Sequence, residues 1–257
     1  MLALVAAMLA SACASGLSRD VLSHTPSVGA TMVAGWEAGP LAGTTSFGYL
    51  PGERRWSRAF RHRQCDRNGL EIRIASDAEV DDDALCEAAA SAARFVARLY
   101  PQIALRWRID VVPSGWRYRM TKRWIGVGAP RVALAVPLFD DGARTVANLV
   151  DLIAHEGFHV AGFFSGDIAT AGDERKAYYA GLCAQLAVRG EIPMNSLPGA
   201  VIEGVDDPMA KASSEAAYRV RREFAKFFED DKLVAQSEAG VAVIERCETV
   251  LGLNWSS

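Results

Sequence analysis

Apolar and polar residues alternate along Leu70-Glu71-Ile72-Arg73-Ile74, the period of a strand with one face in a core. The period returns between Ile103 and Val112, most clearly in Leu105-Arg106-Trp107-Arg108-Ile109-Asp110-Val111. Pro113-Ser114-Gly115 then marks a turn, Trp116 to Trp124 allows another strand, and Arg131 to Leu138 reads as one more. Between the first two strands, Asp81 to Tyr100 has helical spacing with acidic residues in its first turn.

The period changes to that of a helix after Asn148, where Leu149, Leu152 and Ile153 lead into a segment with one charge, Glu156, between Leu152 and Phe164. Such a helix belongs largely in the interior. Gly162 and Phe163-Phe164-Ser165-Gly166-Asp167 read as its end and a turn. A second helix starts near Thr170 to Asp173, carries Glu174 in its first turn and stops at Gly190. Ile192 to Pro198 reads as a loop, Ala210 to Asp231 as a charged amphipathic helix, and Val234 to Leu251 as the last helix.

This pattern gives an α+β fold: a small mixed β-sheet packed on one central helix, with a helical C-terminal part. The central helix holds the chain's most telling residues, His155-Glu156-Gly157-Phe158-His159. Imidazoles at i and i+4 project from one helix face and can bind one cation. Glu156 is displaced by roughly 100° around the axis, where it can reach a water on that cation without ligating it. Two histidines and a glutamate in so apolar a segment are costly without a compensating partner, and a metal ion is the simplest. A catalytic zinc takes three protein ligands and leaves one position open. A short connection favours antiparallel helices, which returns Glu174 to the end of the first helix and makes it the expected third ligand. Asp167 is its rival.

His155-Glu156-x-x-His159 followed by Glu174 on the next helix resembles the gluzincin branch of the zincin metallopeptidases, the thermolysin-like class. The resemblance covers residues 145–190. It implies hydrolysis of peptide bonds with Zn2+ held by His155, His159 and Glu174, and with Glu156 as general base. The class often has an aspartate four residues after the ligand glutamate, supporting a zinc histidine; Tyr178 stands there instead. Tyr178, or Tyr179, is then a candidate for stabilising an oxyanion, or a residue of helix packing. Gly162 also matches the start of the metzincin signature, but Ser165 occupies the position where that branch needs His or Asp. In zincins the strand nearest the metal pairs with extended substrate, so Ala133 to Pro137 is the expected substrate edge by resemblance.

Residues 1–12 are apolar and small, and Leu9-Ala10-Ser11-Ala12-Cys13 resembles a bacterial lipobox, although no positive residues precede it. It implies export and anchoring to a membrane surface through acylated Cys13, at the periplasmic or outer-membrane face of a bacterial envelope. Ala10-Ser11-Ala12 also suits ordinary signal cleavage. The expected organisation is a signal peptide at 1–12, a tether and irregular arm rich in Gly, Ser, Thr and Pro at 13–69, and a zincin-like domain at 70–257. Apart from Cys13, four cysteines remain, an even set suited to two disulfides in an oxidising compartment. Sequence permits three pairings, and Cys65 with Cys86 and Cys183 with Cys247 is favoured because each bridge then stays within one half of the chain.

With half its residues hydrophobic, the chain can bury a sizeable core. Its formal net charge of −3 gives no global attraction to nucleic acid, and none is expected as a partner. Arginines interleaved with aromatic rings between Arg106 and Trp124 fit the outer face of amphipathic strands, or contact with an anionic surface. Two function classes follow: an exported zinc peptidase acting on a peptide or protein substrate, and a non-catalytic envelope lipoprotein that binds a partner or metal through the same frame. Glu156 favours the first, since a binding site alone needs no base.

Overall fold

A computed structural model describes residues 60–65, 69–75, 79–112, 121–123, 131–139, 141–197 and 208–253. The expected signal peptide, Cys13, the tether through residue 59, the turn at Pro113-Ser114-Gly115 and the strand start at Trp116 lie outside these residues.

The alternating segments become β2 (Leu70–Ala75), β3 (Arg106–Val112) and β5 (Arg131–Pro137), which run parallel at the centre of a mixed sheet. β1 (Phe60–Gln64) pairs antiparallel with β2, and β4 (Thr121–Arg123) antiparallel with β5, giving the order β1-β2-β3-β5-β4. Register aligns the apolar positions in rows: Leu70, Trp107 and Val132; Ile72, Ile109 and Leu134; Ile74, Val111 and Val136. All are buried. On the opposite face Arg73 bonds both carboxylate oxygens of its register partner Asp110, which is itself fully buried. That charge sits in the sheet because a planar guanidinium meets it in a bidentate fork.

One expectation changes here, and a second is affected at one residue. The folded body begins before Leu70, because β1 falls within the stretch 13–69 expected to be tether and irregular arm. Its sequence, FRHRQ, has no apolar alternation, and its pairing with β2 is a backbone ladder that hydropathy does not announce. β5, expected to offer a substrate edge over Ala133 to Pro137, pairs with β3 along its whole length but with β4 only from Arg131 to Ala133, so within that expected edge β4 covers Ala133 alone. β4 is the outer strand in the order and lies beside the first three residues of β5.

Helix α1 (Asp82–Leu99) connects β2 to β3, capped by Asp81, whose side chain accepts from the Asp83 and Ala84 amides. α2 (Gly142–Phe164) follows β5 and carries the His155-Glu156-x-x-His159 motif. Asp141 caps it. It packs against α1, β5, a short helix α3 (Ile168–Ala171) and α4 (Glu174–Arg189), so it is buried on every side from Ala147 to Gly162. Gly190 ends α4 in the left-handed conformation expected of a C-terminal glycine.

The C-terminal part is helical with one insertion. α5 (Pro208–Phe224) runs into a 3-10 turn at Ala225–Phe227, and the chain then forms β7 (Lys232–Val234) against β6 (Glu191–Pro193). The expected loop from Ile192 and the expected helix to Asp231 are both corrected: Ile192 and Leu233 bury opposite each other in this two-stranded ladder. α6 (Glu238–Leu251) closes the fold from its Ser237 cap. The two favoured disulfides are present, Cys65–Cys86 between the β1–β2 connection and α1, and Cys183–Cys247 between α4 and α6. Among the described residues no helix is long and apolar enough to cross a membrane.

Candidate metal centre

Two helices meet at the motif. His155 and His159 project from α2 with ring centroids 5.0 Å apart, and Glu174 enters from the first turn of α4. Asp173 caps that helix by accepting the Lys176 amide at 3.1 Å, which fixes where Glu174 leaves the backbone. His155 Nε2 lies 3.7 Å from Glu174 Oε2, and His159 Nε2 lies 3.5 Å from Glu174 Oε1. One ligand atom from each of the three residues falls within 4.8 Å of the others. Both imidazoles are buried; the Glu174 side chain keeps 17% of its surface exposed.

Two imidazoles and a carboxylate are a donor set that could hold zinc. Ligands about 2.0–2.2 Å from a tetrahedral ion stand roughly 3.3 Å from one another, whereas a good N–H···O hydrogen bond is about 2.9 Å. The histidine–carboxylate separations lie nearer the first value. His159 is also prepared chemically. Its Nδ1 meets the Ala171 carbonyl of α3 at 2.5 Å, and a carbonyl can only accept. The hydrogen therefore resides on Nδ1, so Nε2, which faces Glu174, is the nitrogen that would be available to a metal ion.

The glycine inside the motif has a packing role. A Cβ on Gly157 would sit 2.7 Å from Val96 Cγ2 and 2.8 Å from Trp107 Cη2, so its absence lets α2 lie close on α1 and β3. Glu156, fully buried, occupies the neighbouring position on α2 expected of a base. Asp167, the rival ligand, is not in the cluster: its carboxylate accepts the Thr170 amide at 3.1 Å in the turn before α3, and bonding first to the Thr170 side chain and then to that amide holds it below the usual carboxylate range. Its turn captures the side chain before it can reach the histidines.

Tyr178 stands one turn beyond Glu174 with its ring 4.5 Å from that of His155. Its hydroxyl is 3.2 Å from Ser213 Oγ on α5, and Ser213 Oγ in turn donates to Glu174 Oε2 at 3.0 Å. Burial, and after it the charge of Glu174, push the Tyr178 phenol far above its ordinary value, so it remains a neutral hydroxyl. Tyr179 turns to a different group, donating to Glu223, whose carboxylate also takes Arg175 at 3.1 Å and Arg246 at 2.9 Å. That cluster clamps α5 and α6 onto α4.

Sequence reasoning brought His155, Glu156, His159, Glu174 and Tyr178 into view and passed over Ser213 and the Ala171 carbonyl. Ser213 had a readable signal: it occupies the buried stripe of α5 with Ala217, Val220 and Phe224, at i, i+4, i+7 and i+11. A hydroxyl in that stripe calls for a partner. The Ala171 carbonyl had none, being a backbone group placed by a short helix. No family model matches this chain, and no curated protein or solved structure matches it.

Proposed function

We propose that this chain is a zinc-dependent peptidase, with His155, His159 and Glu174 holding the ion and Glu156 acting as general base. The supporting observation is the convergence of three ligand atoms within 4.8 Å, with Glu156 one residue from a ligand. Bound zinc would supply a Lewis acid that polarises a peptide carbonyl and makes water acidic enough to attack near neutral pH. The remaining work falls to the chain. The Ala171 carbonyl holds His159 in the tautomer that presents Nε2. Glu156 takes a proton from the attacking water and delivers it to the leaving nitrogen. The oxyanion role expected of Tyr178 has no part in this reading, because its hydroxyl is directed to Ser213.

The proposed setting is an exported protein anchored by acylated Cys13 at an envelope membrane surface, acting on peptide or protein substrates, and without nucleic acid as a partner. Two disulfides support an oxidising compartment.

Elemental analysis combined with a peptide-pool hydrolysis assay tests the reading. Wild type should hold one zinc per chain, while His159→Ala and Glu174→Ala lose it. Glu156→Gln should keep the zinc and lose hydrolysis by about 10²-fold or more. Zinc-loaded wild type that leaves every peptide intact would assign the site to metal binding without turnover. Wild type that takes up no zinc after repletion would end the metal reading.

A further inference from the structure

This inference rests on the proposed metal site and deepens it by asking what fixes the carboxylate of Glu174. In the thermolysin-like pattern a residue four after the ligand glutamate supports a histidine. Here Tyr178 fills that position, and its hydroxyl faces Ser213. Ser213 has one hydroxyl hydrogen. Since it donates to Glu174 Oε2 at 3.0 Å, its oxygen is left as the acceptor for Tyr178, which fixes the direction of the chain as Tyr178 to Ser213 to Glu174.

We propose that Ser213 is a positioning residue for the metal site: oriented by Tyr178, it holds the Glu174 carboxylate in the rotation that presents it to the same point as His155 Nε2 and His159 Nε2.

Burial and cost support this role. Ser213 is fully buried on the face of α5 that otherwise presents Ala217, Val220 and Phe224 to the core, where a hydroxyl left unbonded is destabilising. Glu174 is the most exposed of the three candidate ligands, on a flexible side chain, and so the one that gains most from a brace. The brace is anchored well. Ten positions along α5, Glu223 receives Tyr179, Arg175 and Arg246, so α5 cannot slide along α4 without breaking that cluster. Adjacent tyrosines on α4 thus hold α5 at two points, and one of those points continues to a ligand.

The test is zinc affinity, measured on the full chain by competition with a chromogenic chelator, alongside the thermal midpoint of the metal-free protein as a control for folding. Ser213→Ala should weaken zinc binding by about 10–100-fold, the usual effect of removing a group that orients a ligand. Ser213→Thr, which keeps the hydroxyl, should stay close to wild type. Tyr178→Phe should weaken binding less than Ser213→Ala, and the double variant should be no weaker than Ser213→Ala alone, because Tyr178 acts through the serine. Wild-type affinity in folded Ser213→Ala, or losses that multiply fully in the double variant, would overturn the positioning role while leaving the metal site intact. Should Ser213→Ala fail to fold, the Ser213→Thr and Tyr178→Phe comparison decides: equal losses in both, or none in Tyr178→Phe, overturn it. A wild type that binds no zinc would instead overturn the metal site itself, and this inference with it.

Discussion

Asp151 stands one turn before His155 on α2, fully buried, with one carboxylate oxygen 3.4 Å from the Gln185 amide nitrogen of α4. Ser196 donates to the Gln185 carbonyl oxygen at 2.8 Å, completing a small polar chain behind the site, while Asp151 Oδ2 has no donor among the described residues. Burial pushes its pKa up to about 7, the Glu156 charge adds to this, and the Gln185 bond partly opposes it. The folded value lies above the unfolded one of about 3.9, so the native state binds a proton that the unfolded chain releases. The stability contributed by this group is fully present below pH ~4 and is lost as pH rises through about 7, with a limiting slope of about 1.4 kcal/mol per pH unit. Asp151→Asn mimics the protonated acid and should remove that loss. Urea midpoints of the metal-free protein between pH 5 and 8 check this, with wild type declining relative to the variant. Parallel profiles would show that Asp151 does not carry the proton.

The element that orients His159 is the shortest helix in the site. α3 reaches α2 because Gly162 has no side chain: a Cβ there would sit 2.9 Å from the Tyr100 hydroxyl and 3.3 Å from Ala171 Cα. Ala171 is the residue whose carbonyl accepts from His159. Alanine in place of a helical glycine ordinarily gains about 1 kcal/mol, but overpacking a filled site costs about 1–3 kcal/mol and should prevail here. Gly162→Ala is therefore expected to lower the thermal midpoint by a few degrees and to weaken zinc binding as α3 is displaced. A variant more stable than wild type with unchanged affinity would show that α3 moves aside freely. The same elements show what the sequence could convey. β2, β3 and β5 were legible because each puts every second residue into the core, and α4 because Asp173 and Gly190 mark its ends. β1 carries no such alternation. The β6–β7 ladder was hidden by its brevity and by Pro193, and it interrupts a charged stretch whose local spacing is helical; only the distant pairing of Ile192 with Leu233 decides it. The site divides along the same line. Side chains on strong helical periods were visible, while the carbonyl of Ala171 and the reach of Ser213 depend on how helices dock.

At the scale of the whole molecule, the two disulfides tie together parts that the site needs in register. Cys65–Cys86 fastens the β1–β2 connection to the start of α1, and Cys183–Cys247 fastens α4, the helix that carries Glu174, to α6 across 64 residues of sequence. Neither pair belongs to the cluster of His155, His159 and Glu174, so both act on the fold before they act on the chemistry. In the chain-entropy account, bridges closing loops of 21 and 64 residues restrict the unfolded state by roughly 3 and 4 kcal/mol. The paired replacement Cys183→Ala with Cys247→Ala should therefore lower stability more than Cys65→Ala with Cys86→Ala. Between α4 and α6 the cluster of Tyr179, Glu223 and Arg246 remains after the sulfurs are removed, and it keeps the folded arrangement of helices. Folded protein of either double variant should then bind zinc with near wild-type affinity although its urea midpoint has fallen. Urea titration and chelator competition on the same preparations separate these effects. A midpoint insensitive to loss of Cys183–Cys247 would remove the bridge from the account of stability. A collapse of zinc affinity in a well-folded variant would instead mean that the bridge positions α4, and that the Glu223 cluster does not hold α6 to it unaided.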